Sequence, residues 1–284
     1  MNGLIYANSF YLDALAKNWD ALILNDYEAV MPLPWKRKWG IRYLYQPAFV
    51  QQMGIFYTKE FTKDLTRAFL DAAFQRFKFA EITLNFANNI ELPADHLIIS
   101  KRNNFMLDLH RPYEELHDNY DPSFTKSLRR VRKFNLAYME SSNFQRIIQL
   151  YKKLYSQKLP YISRQNYLQL ENICAHLFKE KKIIVRLVRN GSNRLLAAVV
   201  LMKDENRIYN IISCLSGEGK RREANYFLYD NIIQEFANSS LMLDFEGSDV
   251  EGIAAFYKKF NPQNQPYPFV KFNNLPWYIK LFKK

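Results

Sequence analysis

The sequence predicts an α+β protein of two domains. Three observations carry that reading. The chain has 284 residues, 48% hydrophobic and 16% aromatic, enough for two filled cores. Stretches with strand alternation are interleaved with stretches at helical spacing along its whole length. A strongly basic amphipathic helix falls before the midpoint, where a boundary is expected: residues 1–121 form the first domain and 122–284 the second, with 122–135 as the connecting helix.

In the first domain, DALILNDYEAVMPLPW alternates and then meets a Pro-punctuated turn, and IRYLYQPAFVQQMGIFY is rich in aromatic and β-branched residues, as strands are. FTKDLTRAFLDAAFQRF places Phe61, Leu65, Phe69 and Ala72 or Ala73 at helical spacing. FAEITLNF alternates as a strand, and HLIISKRNNFMLDLH reads as two strands broken at Asn103-Asn104. In DPSFTKSLRRVRKFN, Asp121 suits a helix N-cap and Pro122 the first helical position. Phe124, Leu128 and Val131 share one face; Lys126, Arg129, Arg130 and Lys133 share the other, with Arg132 nearby.

The second domain reads as a strand (LAYMES), two amphipathic helices (NFQRIIQLYKKLYSQK and SRQNYLQLENICAHLFKEKK) and three strands (KIIVRLVRNG, NRLLAAVVLMKD, NRIYNIISCLS), the first two joined at Asn190-Gly191. A helix GKRREANYFLYDNIIQEFA, a strand SLMLDFEGS, a helix DVEGIAAFYKKF and a last strand PYPFVKFN follow. The order is β-α-α-β-β-β-α-β-α-β.

Charge and residue usage narrow the function. The net charge of +12 favours contact with phosphates, nucleic acid or an anionic surface. The best polyanion candidates are Lys126, Arg129, Arg130 and Lys133 on the basic helix, and Lys36 and Arg37 in the loop Pro34–Trp39, where tryptophans alternate with cations. Two cysteines, Cys174 and Cys214, make no disulfide framework, and without a CxxC pair, the four scattered histidines (His96, His110, His117, His176) suggest no zinc site. No basic-then-apolar leader opens the sequence and no apolar run is long enough to span a bilayer, so the expected location is the cytoplasm.

Two places suggest chemistry. After the third long strand, LSGEGKRREANYFLYDNII opens a helix from a glycine-bearing turn. Such a turn gathers backbone N–H groups and the positive end of the helix dipole, which suits an anion. Ser216, Gly217 and Gly219 would form the cradle, and Lys220, Arg221 and Arg222 would add charge. The other reading is an ordinary turn and helix start. In SLMLDFEGS, Leu241, Leu243 and Phe245 share one face and Met242, Asp244 and Glu246 the other, so two carboxylates neighbour each other at a strand end. Either could take a proton from an ammonium group or hold it by charge; either could instead pair with a cation or cap the next helix. Tyr257 and Lys259 follow in that helix, as candidate proton donor and anion stabiliser.

The element order resembles the GNAT acyltransferase fold. The LSGEGKRREA turn looks like the GNAT loop that holds the donor's pyrophosphate. GIAAFYKKFN resembles the GNAT segment with Ala, then Tyr, Lys and a Gly-Phe pair, matched by Ala254 or Ala255, Tyr257 and Lys258 or Lys259, with Phe260-Asn261 in place of Gly-Phe. In that family the tyrosine often protonates the leaving thiolate. More specifically, YLYQPAFVQQMGIF, NFMLDLHRPYEEL, FTKSLRRVRKFN, SLMLDFEGSDVEGIAAFYKKF and NNLPWYIKLFKK resemble the FemABX group. The resemblance implies two GNAT-like (acyl-CoA N-acyltransferase) domains, the first truncated, with the reaction centre in the second. It also implies transfer of an acyl or aminoacyl group from acyl-CoA or aminoacyl-tRNA to an amine, on a cell-envelope precursor such as one for peptidoglycan. The partners implied are that amine acceptor, tRNA, and a lipid-linked precursor at a membrane surface, with no tightly bound cofactor. The alternative is a non-catalytic GNAT-like module that binds nucleic acid or another polyanion.

Overall fold

The computed structural model describes residues 2–58, 62–88, 90 and 97–280. Phe61, His96 and residues 281–284 of the closing stretch lie outside them. In chain order the elements are α1 (Ser9–Leu15), β1 (Trp19–Leu24), β2 (Ala29–Lys38), β3 (Ile41–Tyr45), β4 (Phe56–Tyr57), α2 (Lys63–Arg76), β5 (Phe79–Thr83), β6 (Leu97–Arg102) and β7 (Phe105–Asp108). There follow α3 (Tyr113–Asp118), α4 (Pro122–Val131), β8 (Ala137–Glu140), α5 (Phe144–Tyr155), α6 (Arg164–Lys179), β9 (Ile183–Arg189), β10 (Leu195–Lys203) and β11 (Arg207–Leu215). The chain continues with α7 (Gly217–Arg221), α8 (Ala224–Phe236), β12 (Met242–Asp244), α9 (Glu251–Tyr257), β13 (Gln263–Asn264), β14 (Tyr267–Asn273) and α10 (Trp277–Lys280).

These elements form two compact units, residues 1–103 with 266–284, and residues 104–265. The expected boundary at 121/122 therefore moves to 103/104, and PYPFVKFN leaves the second domain for the first. Strand pairing is the reason. β7 pairs antiparallel with β12 through Met106, Leu107 and Asp108, whereas β14 lies between β5 and β6 and pairs with both. The second unit is thus contiguous, whereas the first completes its sheet with β14 from beyond the second.

The sheet orders are β1-β2-β3-β5-β14-β6 in the first unit, with β4 beside β2, and β13-β7-β12-β11-β10-β9-β8 in the second. The two match strand for strand from β1/β9 to β6/β13, and each holds one parallel pair, β3 with β5 and β11 with β12. Among the described residues the first unit has nothing answering to β8, and only the short α1 where the second has α5 and α6.

In the second unit, β9 to β11 are nearly continuous apolar runs because both faces are covered. One face takes α5 and α6. The other takes α4, α8 and α9, around Phe124, Leu128, Tyr229, Ile232, Phe245, Tyr257 and Phe260. Asp121 caps α4 by accepting from the Ser123 N–H at 2.8 Å, and Phe124 is fully buried, a burial contributing about 1.5–3 kcal/mol. The helix expected over GKRREANYFLYDNIIQEFA is two, α7 and α8, because Glu223 adopts φ +54° and breaks the hydrogen-bond ladder.

The expected loop Pro34–Trp39 is instead the end of β2. It pairs with β3 from Trp35↔Leu44 to Lys38↔Ile41 and turns at Trp39 and Gly40, both at positive φ (+51° and +77°). Two such residues make a tight type I′ hairpin, whose twist matches that of its strands.

Candidate active site

The site grows from a parting of two strands. β11 and β12 run parallel for three residues, Arg207↔Met242, Ile208↔Leu243 and Tyr209↔Asp244; then β12 ends while β11 continues to Leu215. At the same level β10 and β11 shift register, so that Val200 faces Ile212 and Leu201 faces Asn210, leaving Ile211 as an extra residue. A bulge reverses the alternation beyond it. Asn210, Ser213 and Leu215 therefore share the face that α8 covers, and Ser213 and Leu215 are only half-buried there.

Asn210 sits at the bottom of the parting, 5% exposed. Its Nδ2 donates to the Tyr229 hydroxyl at 2.6 Å, the Tyr257 hydroxyl at 2.8 Å and the Phe245 carbonyl at 3.2 Å, which ties the two strands together where they separate. Its buried Oδ1 accepts no hydrogen bond among the described residues. The Tyr229 and Tyr257 hydroxyls are 3.3 Å apart. Burial first, then Tyr229 and the charge of Glu246, lift the Tyr257 hydroxyl well above its ordinary value. Glu246 follows the strand at φ +54°, and burial pushes its carboxyl up to about 8.

The structure thus brings together Tyr257 and Glu246 from the expected site and adds Asn210 and Tyr229. Asn210 had a signal in sequence: it is the one amide inside the apolar run RIYNIISCL. The surroundings of the other candidates are specific. Tyr257 is buried: its ring is 5% exposed and stacks on Phe245 at 4.6 Å, in the aromatic core with Phe256 and Phe260. Of the two roles open to Asp244, the structure has the pairing with a cation, and the strand ends before Glu246, which turns away at φ +54°. Asp244 is 1% exposed, 3.4 Å from Arg207, and accepts from Asn104 Nδ2 at 3.1 Å and from the Glu246 N–H at 3.1 Å. This is a buried, satisfied ion pair. Lys259 donates to the Tyr226 hydroxyl at 3.1 Å and lies over its ring.

The glycine turn is also engaged by its own surroundings. Ser216 caps α7, its Oγ accepting from the Gly219 N–H at 2.9 Å. A Cβ on Gly219 would lie 2.1 Å from the Leu196 carbonyl oxygen, so this glycine is required by close packing on β10 rather than by an approaching phosphate. Glu218 holds Arg222 at 3.1 Å and accepts from Asn190 Nδ2 at 2.9 Å. Gly217 is unconstrained, with only Arg221 Nη1, 3.9 Å away, near its would-be Cβ. Lys220 and Arg221 are exposed. A phosphate here would meet these two cations and the first amides of α7, with Glu218 opposing it.

Ser216 is six residues beyond Asn210 on the same strand, roughly 20 Å away along it. That separation suits a donor with a long arm between its phosphates and its reacting carbonyl. Of the polyanion candidates, Lys126, Arg129 and Lys133 are exposed, but Arg130 Nη2 is bound to Glu223 at 2.5 Å. In the other unit Lys36 is exposed with its ammonium 4.0 Å from the Tyr45 ring centroid, and Arg37 Nε donates to the Gly40 carbonyl at 3.2 Å.

In the first unit the matching gap between β3 and β5 is bridged by side chains, beside a cavity of about 10 Å³ lined by Leu44, Gln46, Met53 and Thr83. The Thr83 N–H donates to Gln46 Oε1 at 3.0 Å, and Met53 bridges to Leu84. Among the described residues no group of three or more His, Cys, Asp or Glu is arranged to hold a metal ion, and no helix is long and apolar enough to cross a membrane.

A parallel strand pair parting beside a bulge, with a crossover helix between its members, defines a GNAT-like acyltransferase fold. The whole chain, with two such units, has the fold of FemX: it superposes on the FemX crystal structure with a TM-score of 0.64 at 13% identity, covering 100% of this chain and 95% of that one. A conserved protein of unknown function from Bacteroides thetaiotaomicron matches with a TM-score of 0.60 at 10% identity, covering 93% and 89%. The DUF2156 C-terminal domain of a protein named as a lysylphosphatidylglycerol synthetase from Agrobacterium fabrum matches with a TM-score of 0.55 at 13% identity, covering 93% and 86%. No family model matches the sequence, and no curated protein matches it.

Proposed function

We propose that this protein is an N-acyltransferase or aminoacyltransferase whose reaction centre is the parting of β11 and β12 in the second unit. The observation that carries the reading is the Tyr257 hydroxyl, bonded to Asn210 Nδ2 at 2.8 Å and within electrostatic reach of Glu246, whose carboxyl burial pushes up to about 8. An attacking amine must be neutral, and a carboxylate with an affinity for protons close to working pH is suited to accept its proton. Tyr257 would return a proton to the leaving group; burial makes it a weak acid until negative charge develops beside it. The donor is acyl-CoA or aminoacyl-tRNA, carried by its phosphates toward Lys220 and Arg221. The acceptor is an amine on a cell-envelope precursor.

The burial of Tyr257 and the self-engaged turn at Ser216–Arg222 favour a second reading, a non-catalytic module that binds a polyanion through its basic helix. One set of measurements separates the two. Purified protein is mixed with an acyl-CoA series or a charged tRNA pool, with and without amine acceptors, following both thermal shift and acyl-group release. Donor-dependent stabilisation with acceptor-dependent release is expected of the transferase. Steeply salt-dependent tRNA binding that does not depend on the aminoacyl group, with no release, would select the second reading.

A further inference from the structure

One end of the first unit's sheet has a chemistry that acyl transfer does not use. β3 runs parallel to β5 with Leu44 beside Ala80, so the hairpin tip before Ile41 lies at the level of Phe77; the Arg42 guanidinium is over the Phe77 ring. β14 runs antiparallel to β5 and ends with Asn273 beside Phe79, and the Asn274 N–H donates to the Lys78 carbonyl at 2.9 Å. The hairpin tip and the start of α10 therefore emerge at the same end of the sheet, on either side of β5.

This end is basic and aromatic. Lys36, Arg37, Lys38, Arg42, Arg76 and Lys78 are all exposed. Residues 34–45, 72–80 and 267–280 contain no Asp or Glu. Trp39 at the tip is 65% exposed, and Trp277 and Tyr278 in α10 are 75% and 54% exposed. Two choices here work against folding. Trp39 takes a left-handed conformation that Asn or Gly would adopt with less strain, and Arg37 is paired directly opposite Arg42. Local choices that oppose the fold are the usual mark of a surface kept for binding.

We infer that this end of the first unit docks on an anionic phospholipid bilayer, with Trp39, Trp277 and Tyr278 at headgroup level and the surrounding cations against lipid phosphates. Charge complementarity and the residue types both select a bilayer. Interfacial anchors combine Trp and Tyr at headgroup level with Lys and Arg against lipid phosphates. The rings sit at a hairpin tip and on a one-turn helix, positions suited to insertion rather than to lining a strand-binding groove. The inference stands on the first unit alone and is independent of the reaction proposed for the second.

The test is co-sedimentation of the full chain with vesicles of phosphatidylcholine alone or with about one-third phosphatidylglycerol, in low and physiological salt. Binding is expected to the anionic vesicles and not to the neutral ones, with a blue shift in tryptophan fluorescence. Trp39→Asn and Trp277→Ser leave the net charge unchanged, so simple attraction between a basic protein and an anionic surface would survive them. Each is expected to weaken binding roughly tenfold, and together they should remove the blue shift. Trp39→Asn should do so in a protein at least as stable as the parent, which excludes misfolding as the cause. No binding to anionic vesicles in low salt would overturn the inference. So would binding indifferent to both substitutions, or a single-stranded RNA oligonucleotide that displaces the protein from vesicles at equal phosphate concentration.

Discussion

Burial raises the Glu246 carboxyl from its ordinary value to about 8, and two consequences follow at the scale of that residue. Activity should climb with pH as the carboxylate forms, and Glu246→Gln should abolish that limb in a pH–rate profile. Stability moves the other way. The folded protein keeps this proton up to about pH 8, whereas the unfolded chain releases it near 4.5, so the contribution is fully present below 4.5 and is lost as pH rises through 8. Denaturant titrations should show stability falling across that window, and Glu246→Gln should flatten the fall. Tyr257→Phe removes the hydroxyl that Asn210 Nδ2 binds; transfer should drop by about 10²-fold or more while the fold persists. Equal activity in Tyr257→Phe would remove that tyrosine from the chemistry. Arg207→Ala leaves Asp244 charged and buried, and urea denaturation should find a loss of about 3–5 kcal/mol. The Asp244–Arg207 pair was not legible in sequence, because its members are 37 residues apart on different strands. Tyr257 and Glu246 were legible as neighbours, because a strand end and the helix after it keep close residues close.

Between residue and domain, the turn from β11 into α7 decides what its glycines mean. Gly219→Ala would force a Cβ to 2.1 Å from the Leu196 carbonyl, an overpacking that should cost about 1–3 kcal/mol or more and be visible as a lower Tm. Gly217→Ala meets no such obstacle and should leave Tm close to the parent value, which makes it the cleaner probe of donor binding. The sequence showed two glycines before a helix and could not tell them apart, since the carbonyl that fixes one belongs to another strand. The break at Glu223 was equally hidden, because Arg-Arg-Glu-Ala reads as uninterrupted helix. Elements set by local pattern were legible: the capped α4 and the apolar β9, β10 and β11 stand where their residues put them, whereas the connection of β9 to β10 runs over Asn190–Arg194 with its left-handed residue at Asn193 instead of an Asn190-Gly191 turn. The hairpin at Trp39-Gly40 was not, because a tryptophan is a poor sign of a left-handed turn.

At the level of the whole molecule, the assignment of β7 and β14 was the least legible feature. Both are short apolar strands, and nothing in their composition says which sheet each will join; only the partners, far away in sequence, decide. β14 fills a central place, pairing along its length with β5 on one side and β6 on the other. A chain shortened to residues 1–265 should keep the second unit cooperative and lose the first, seen as early protease cleavage confined to residues before 104. Retention of native resistance in that region would show that β5 and β6 can close the sheet alone.

The late position of β14 in the chain sets an order of events on the ribosome. Residues 104–265 are contiguous and can settle as soon as they leave the exit tunnel, but the earlier-made sheet must wait for β14, translated after all of them. The portion synthesised first is therefore completed last, opposite to the usual amino-terminal-first sequence. Until then the edges of β5 and β6 that β14 will join are open to chaperones and to neighbouring nascent chains.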